Sequence, residues 1–198
     1  MIFFIKWETW DDAKQDLCEI FEMDLVKHLE YTIQFAEKYH GDQKRVNGEP
    51  IIKHLLQVLE ILILEMGIKD KPILTASILH DILEDTSVIE NEIIDLFGKE
   101  VFNIVKTLTK PKVTQSQNKQ TLKIDYLKSL KNAPSNVLII KLADRYSNVQ
   151  RLSIDPSYDR QKSYYKQTVD YIIPLCNNFP KFRTLFNSWQ EFYSFLSN

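Results

Sequence analysis

Between Ala76 and Thr86 an imidazole and three carboxylates, His80, Asp81, Glu84 and Asp85, are set among Ile78, Leu79, Ile82 and Leu83. Charged and polar groups held among large aliphatic side chains are costly unless something compensates them. The spacing predicts a helix, on which positions three and four apart are neighbours, so residues 80, 81, 84 and 85 share one side. The compensator this pattern predicts is a divalent metal ion. Glu84 and Asp85, one turn further on, are then close enough to work on its bound water.

The remainder of the chain also reads as helix. Only 4 of the 198 residues are glycine, apolar residues recur every three or four positions, and no strand-like alternation is sustained. The expectation is an all-α chain forming one domain over 1–198. Helices are expected over 8–22 and 24–40, broken near Met23 and Asp24. A loop follows from Gly41 to Glu49, and Pro50 opens the next helix in its first turn, running to about Met66. Asp70 caps another, with Pro72 in its first turn. Ser87 and Glu90 have capping-box spacing, and Gly98 interrupts the segment that ends at Thr109–Pro111. Residues 112–120 are polar without an apolar period and are expected to form a mobile surface loop. Pro134 introduces a helix carrying Lys141, Asp144 and Asn148. The aromatic-rich stretch 153–198 reads as packing helices, kinked near Pro174 and broken near Pro180. Its aromatics serve as core or as an interface, which leaves a homo-oligomer open.

Composition excludes several classes. Hydrophobic residues make up 44% and charged residues 26%, as in ordinary globular proteins. A net charge of −2 offers no general attraction to nucleic acid or an anionic membrane, although a local basic patch can still bind a small phosphorylated ligand. No apolar run approaches the ~20 residues of a membrane span. The start, Met1 to Lys6, is too short for a signal-peptide core. Cys18 and Cys176 have neither metal-site spacing nor a disulfide framework. A cytoplasmic protein is expected.

His54 shares a face with Ile51, Leu55 and Val58, and His80 follows Ala76 by one turn. Singly, each is more often a hydrogen-bonded core histidine than a ligand. Together with Asp81 and Asp144 the balance changes. Two neutral imidazoles and two carboxylates neutralise a divalent cation and leave positions for water and phosphate. Lys141, Asp144 and Asn148, spaced by three and four, share one helix face, which alone reads as a solvated face.

The segments Ala36–Arg45, Gly48–His54, Ile78–Thr86, Phe97–Val101, Leu108–Lys110 and Lys141–Asn148 occur in one order over roughly residues 28–152. With them the chain resembles the hydrolase domain of the RelA/SpoT alarmone enzymes, in the HD superfamily of metal-dependent phosphohydrolases. It is most similar to the small stand-alone alarmone hydrolases of the metazoan SpoT homologue type. The resemblance implies a single HD helical bundle in which His54, His80, Asp81 and Asp144 hold one divalent ion, usually manganese. It assigns Glu84 and Asp85 to activating or positioning the attacking water. Arg45 matches a residue that packs near the purine and Asn148 one that contacts the sugar region, with Lys44 and Lys141 as further substrate contacts. Arg145, in the same motif, is either a contact or a helix-pairing residue. Val46, Ile51 and Leu55 depart from the family pattern, all three outside the ligand set.

The implied activity is hydrolysis of (p)ppGpp to GDP or GTP and pyrophosphate, with a small nucleotide as partner rather than nucleic acid or membrane. Fewer than fifty residues follow position 152, so hydrolysis without a synthetase domain is expected. Two alternatives stand beside it. The same fold could act on another nucleotide, as a phosphatase for the 2′-phosphate of NADPH or a hydrolase of an adenine alarmone. The other is a non-catalytic alarmone-binding module, against which the intact set of ligands and carboxylates argues.

Overall fold

The computed structural model describes residues 2–111 and 118–197. Among them the regular structure is helical, and the only β-type pairing is an isolated antiparallel bridge between Lys44 and Pro50. The described residues fall into two compact units, one spanning Phe4–Thr109 and the other made of the residues on either side of it.

The Phe4–Thr109 unit opens with α1 (Trp10–Ile20), started by a capping box. The Thr9 hydroxyl accepts from the Asp12 amide and the Asp12 carboxylate accepts from the Thr9 amide, at 3.3 and 2.9 Å. In α2 (Met23–His40), Val26, Leu29, Ile33, Ala36 and His40 form a buried stripe with alternating steps of three and four. Pro50 lies just outside α3 (Ile51–Glu60), at its cap with ψ 143°, and not in the first turn as the sequence suggested. The helix then widens into a π-helical turn over Ile61–Glu65, so the expected extent to about Met66 holds.

Asp70 caps α4 (Lys71–Ile78) by accepting from the Ile73 amide at 2.9 Å, with Pro72 in the first turn as expected. After α5 (Ile82–Asp85) the Ser87–Glu90 capping box does not form. Thr86 organises the corner instead, donating to the Ile82 carbonyl and accepting from the Val88 amide. The helix that follows, α6 (Glu90–Leu108), starts after Ile89 and bends at Gly98, whose φ of 88° is open to glycine but strained for other residues. In this unit α4 packs against α2, α3 and α6, and α5 packs against α2. The segment before α1 is tied to α3 by the buried Glu60 carboxylate, which accepts from the Lys6 and Trp7 amides at 3.3 and 3.1 Å.

In the second unit, Asn118 caps α7 (Lys119–Ser129), accepting from the Gln120 and Thr121 amides. Residues 118–120 are therefore a helix start and not the end of a mobile loop; positions 112–117 of that expected loop lie outside the described residues. Pro134 precedes α8 (Ser135–Val149), as expected. Beyond α9 (Tyr158–Gln167) the chain passes through a π turn and a 3₁₀ segment containing Pro174, and Pro180 opens α10 (Pro180–Phe192). The aromatics here divide between core and surface, with Tyr158, Phe192 and Phe195 exposed. Tyr165, Phe182, Phe186, Trp189 and Tyr193 are buried, and Trp189 Nε1 donates to the Val149 carbonyl at 2.8 Å. No described helix is long and apolar enough to cross a membrane.

His28 ties α2 to α4. The Thr75 hydroxyl donates to the Lys71 carbonyl at 2.8 Å, so at 2.9 Å it accepts from His28 Nε2–H, which fits the neutral ring. Burial, with Lys71 nearby, holds His28 below its ordinary value of 6.5. The unfolded chain therefore takes up the proton first. This contribution to stability is complete above pH ~6.5 and is lost as pH falls through the lowered folded value. Thermal melting from pH 7.5 to 5.5 should show this loss in the wild type and a shallower pH slope in His28→Gln; parallel slopes would remove His28 as its source.

Candidate metal centre

The structure overturns the single helix expected across His80–Asp85. Helix α4 stops at Ile78, Leu79 (φ −95°, ψ 4°) and Asp81 (φ −102°, ψ −4°) form a turn, and α5 begins at Ile82. The side chain of His80 provides the reason. Its Nδ1 donates to the Ser77 carbonyl at 2.7 Å, competing for the acceptor that a continuing helix would give to the Asp81 amide. The break has a chemical result. Adjacent residues on a helix do not face each other, yet in this turn His80 Nε2 and Asp81 Oδ2 stand 3.1 Å apart.

His54 reaches the same point from the first turns of α3. Its Nε2 lies 3.9 Å from Asp81 Oδ2, and its ring meets that of His80 edge-on with centroids 5.2 Å apart. One donor atom from each of His54, His80 and Asp81 lies within 4.8 Å of the others. Both histidines are 2% exposed, so water screens the centre little.

The donor set fits a divalent cation. Because the Ser77 carbonyl can only accept, His80 carries its ring hydrogen on Nδ1, and the Nε2 lone pair points toward a carboxylate oxygen. A positive charge between them turns that repulsion into attraction. Donors each ~2.1 Å from one ion stand about 3–4 Å apart, the range of the two separations given above. The Ser77 carbonyl is also the kind of outer partner that fixes the tautomer of a ligating histidine.

The other expected site residues fall into three places. Glu84 and Asp85 lie on α5 directly after the turn, Glu84 half-buried and Asp85 exposed, and both amides donate to the Asp81 carbonyl at 3.0 Å. Lys44, exposed, and Arg45, half-buried, sit in a loop closed by its own backbone. There the Arg45 amide donates to the Glu49 carbonyl at 2.8 Å and the Ile51 amide to the Gln43 carbonyl at 3.0 Å. Asp144, Lys141 and Asn148 belong to the other unit, on α8. The buried Asp144 carboxylate pairs with Lys141 Nζ at 2.6 Å and accepts from Asn148 Nδ2. Arg145 beside it is buried, its guanidinium 5.2 Å from the Tyr164 ring of α9, which gives it a helix-pairing role.

Residues 32–178 match a family model described as the HD domain. The chain belongs to the HD domain family. Membership implies a divalent metal, which the His54–His80–Asp81 centre suits. Among curated relatives, the guanosine-3′,5′-bis(diphosphate) 3′-pyrophosphohydrolase of Aquifex aeolicus is 32% identical over 151 residues, covering 76% of this chain and 21% of its own length. The enzyme of the same name from Drosophila melanogaster is 29% identical over 147 residues, covering 70% of this chain and 80% of its own length. The chain thus spans about a fifth of the length of the long bacterial relatives it matches. A solved structure of a metazoan orthologue of SpoT that hydrolyses ppGpp shares the fold. Its TM-score is 0.71 at 24% identity, covering 81% of this chain and 94% of that one.

One residue beside this HD centre has no role in the sequence reading. His40, the last residue of α2, is 6% exposed. Burial holds its imidazole below the ordinary histidine range, while Gln43 and Asp81 act in the opposite sense. The signal was present in the sequence, since His40 continues the apolar stripe of α2 where an aliphatic side chain would pack without polar needs.

Replacing His54 with Ala or Asp81 with Asn should abolish the stabilisation that a divalent ion gives the wild type. That gain is about 2.7 kcal/mol at a hundredfold excess over Kd. Melting with and without metal measures it, and an undiminished shift in either variant would remove that residue from the ligand set.

Proposed function

We propose that this HD domain is a manganese-dependent (p)ppGpp 3′-pyrophosphohydrolase. The observation that carries the reading is the turn at Leu79–Asp81, which sets two metal donors 3.1 Å apart and leads at once into Glu84 and Asp85 on α5. The names of the Aquifex and Drosophila relatives, and the substrate of the metazoan SpoT orthologue, support the choice of nucleotide. Asp144 is proposed as the fourth ligand, an acid whose buried carboxylate is oriented by Lys141 and Asn148. A cytoplasmic location suits such a substrate and two free thiols.

When bound, the divalent ion supplies water acidified toward neutral pH and offsets charge on the phosphoryl oxygens. The chain's residues do the rest. Glu84 and Asp85 hold the attacking water and take its proton. Water adds to the phosphorus attached to the 3′-oxygen, the bond between them breaks, and that oxygen leaves protonated as the free 3′-hydroxyl. GDP or GTP and pyrophosphate result. Arg45 spreads its planar guanidinium over the purine, a contact that lysine makes poorly. Asn148 and Lys141 act on the sugar and phosphates.

The direct test incubates the purified protein with manganese and separate samples of ppGpp, pppGpp, ppApp and NADPH. Pyrophosphate from ppGpp is expected. Phosphate from NADPH in its place, or binding of every nucleotide without turnover, would overturn the proposal.

Glu84→Gln and Asp85→Asn should keep the metal and lower kcat by ~10²-fold or more, the scale of lost acid–base help. Since the two are neighbours, the double variant is measured beside them. A single variant with near-native kcat at saturating metal would not carry the catalytic carboxylate. Arg45→Ala should raise KM for ppGpp by ~10-fold, a lost contact of about 1.4 kcal/mol, with metal affinity unchanged. An unaltered KM would place the purine elsewhere.

A further inference from the structure

His40 presents a buried acceptor with no donor among the described residues. Its Nδ1 lies 2.6 Å from Gln43 Oε1, and an amide oxygen only accepts, so the ring hydrogen is on Nδ1 and Nε2 holds the lone pair. That Nε2 is fully buried and has no hydrogen-bond partner among the described residues. A buried polar atom left in this state is destabilising, because it has given up water without gaining a partner. The four preceding members of the same stripe, Val26, Leu29, Ile33 and Ala36, are all aliphatic. Packing alone gives no reason for an imidazole here.

Its surroundings limit what can satisfy Nε2. Helix α2 packs against α5, and both Asp81 and His80 act electrostatically on the His40 ring. Neither can donate to it. Asp81 is a carboxylate with acceptors only, and His80 has committed its ring hydrogen to the Ser77 carbonyl. Nor does His40 belong to the group of donor atoms formed by His54, His80 and Asp81. Nε2 is therefore left without a donor among the described residues, within electrostatic reach of two of the metal donors.

We infer that His40 is a positioning residue of this centre, its Nε2 accepting a hydrogen bond from a water that the bound metal brings into the site. A water is small enough for a buried polar niche and can give one hydrogen to His40 while its oxygen faces the cation. The Gln43–His40 pair then sets the direction of that water, much as groups hydrogen-bonded to a metal's ligands set the orientation of those ligands. The inference rests on the metal reading of the centre and is independent of which nucleotide is cleaved.

The test uses the full chain, with the imidazole nitrogens observed by ¹⁵N-correlated NMR at fixed pH before and after addition of zinc, a diamagnetic probe. Manganese affinity is measured by calorimetry in the wild type, His40→Phe and His40→Gln. The expected spectrum shows His40 hydrogen on Nδ1 and an Nε2 resonance that moves upfield when zinc is added, as an acceptor gaining a hydrogen bond does. His40→Phe should weaken manganese binding about tenfold and lower kcat for ppGpp with KM unchanged. His40→Gln, which restores an acceptor, should recover most of both. A residue serving only the core would change melting temperature and leave metal affinity within twofold.

A ring hydrogen on Nε2, an Nε2 resonance indifferent to zinc, or one that moves only when nucleotide is added would each overturn the inference. If His40→Phe does not fold, the wild-type spectra decide. Should ppGpp remain uncleaved while the zinc response and the affinity loss hold, the substrate assignment fails and the role of His40 stands.

Discussion

An imidazole nitrogen whose ring hydrogen is committed elsewhere sits 3.1 Å from a carboxylate oxygen, and both belong to adjacent residues of one turn. In water such a contact would relax. Here His80 is buried and anchored to the Ser77 carbonyl, and a positive charge between the two groups answers the electrostatic conflict. Much of the Phe4–Thr109 unit serves to maintain that arrangement. Helix α4 holds Ser77, α3 brings His54, and α2 and α6 pack around α4.

The second unit faces a related difficulty by another route. Asp144 and Lys141 are each 5% exposed, so both charges have given up most of their hydration. A buried pair of this kind is tolerable only with close geometry and further hydrogen bonds. The 2.6 Å contact and the Asn148 amide supply them. Lys141 and Asn148, expected to face substrate, are also the residues that hold the acid in place. Either would touch a nucleotide from a position already set by Asp144.

Much was legible in the sequence because it is encoded locally. The sparse glycines and the three-to-four spacing imply helices, Asp70 and Pro72 announce α4, Pro134 announces α8, and Gly98 marks the bend in α6. The convergence of His54 with His80 and Asp81 was readable from residue chemistry and the order of motifs. What stayed hidden depends on competition between side chain and backbone. Nothing in the helical periodicity of residues 76–86 indicates that His80 contends for the Ser77 carbonyl and opens a turn. Thr86 displacing the Ser87–Glu90 box is the same kind of event. His40 escaped for a different reason, since a polar residue in an apolar stripe shows its meaning only when its partners are counted.

The loop between α2 and α3 owes its shape to main-chain bonds from Arg45 to Glu49 and from Ile51 to Gln43, and to the left-handed Gly48. Such bonds are indifferent to the side chains at 44 and 46, whereas Asn47 Oδ1 accepts from the Glu49 amide, and Val46 projects with 70% of its surface exposed. On the proposed reading, in which this loop meets the nucleotide, selectivity and reactivity are separately mutable. A lineage could then rewrite the outward-facing letters of this loop and explore new bases or phosphate patterns, while the two buried histidines and the half-buried Asp81 remain under unchanged constraint.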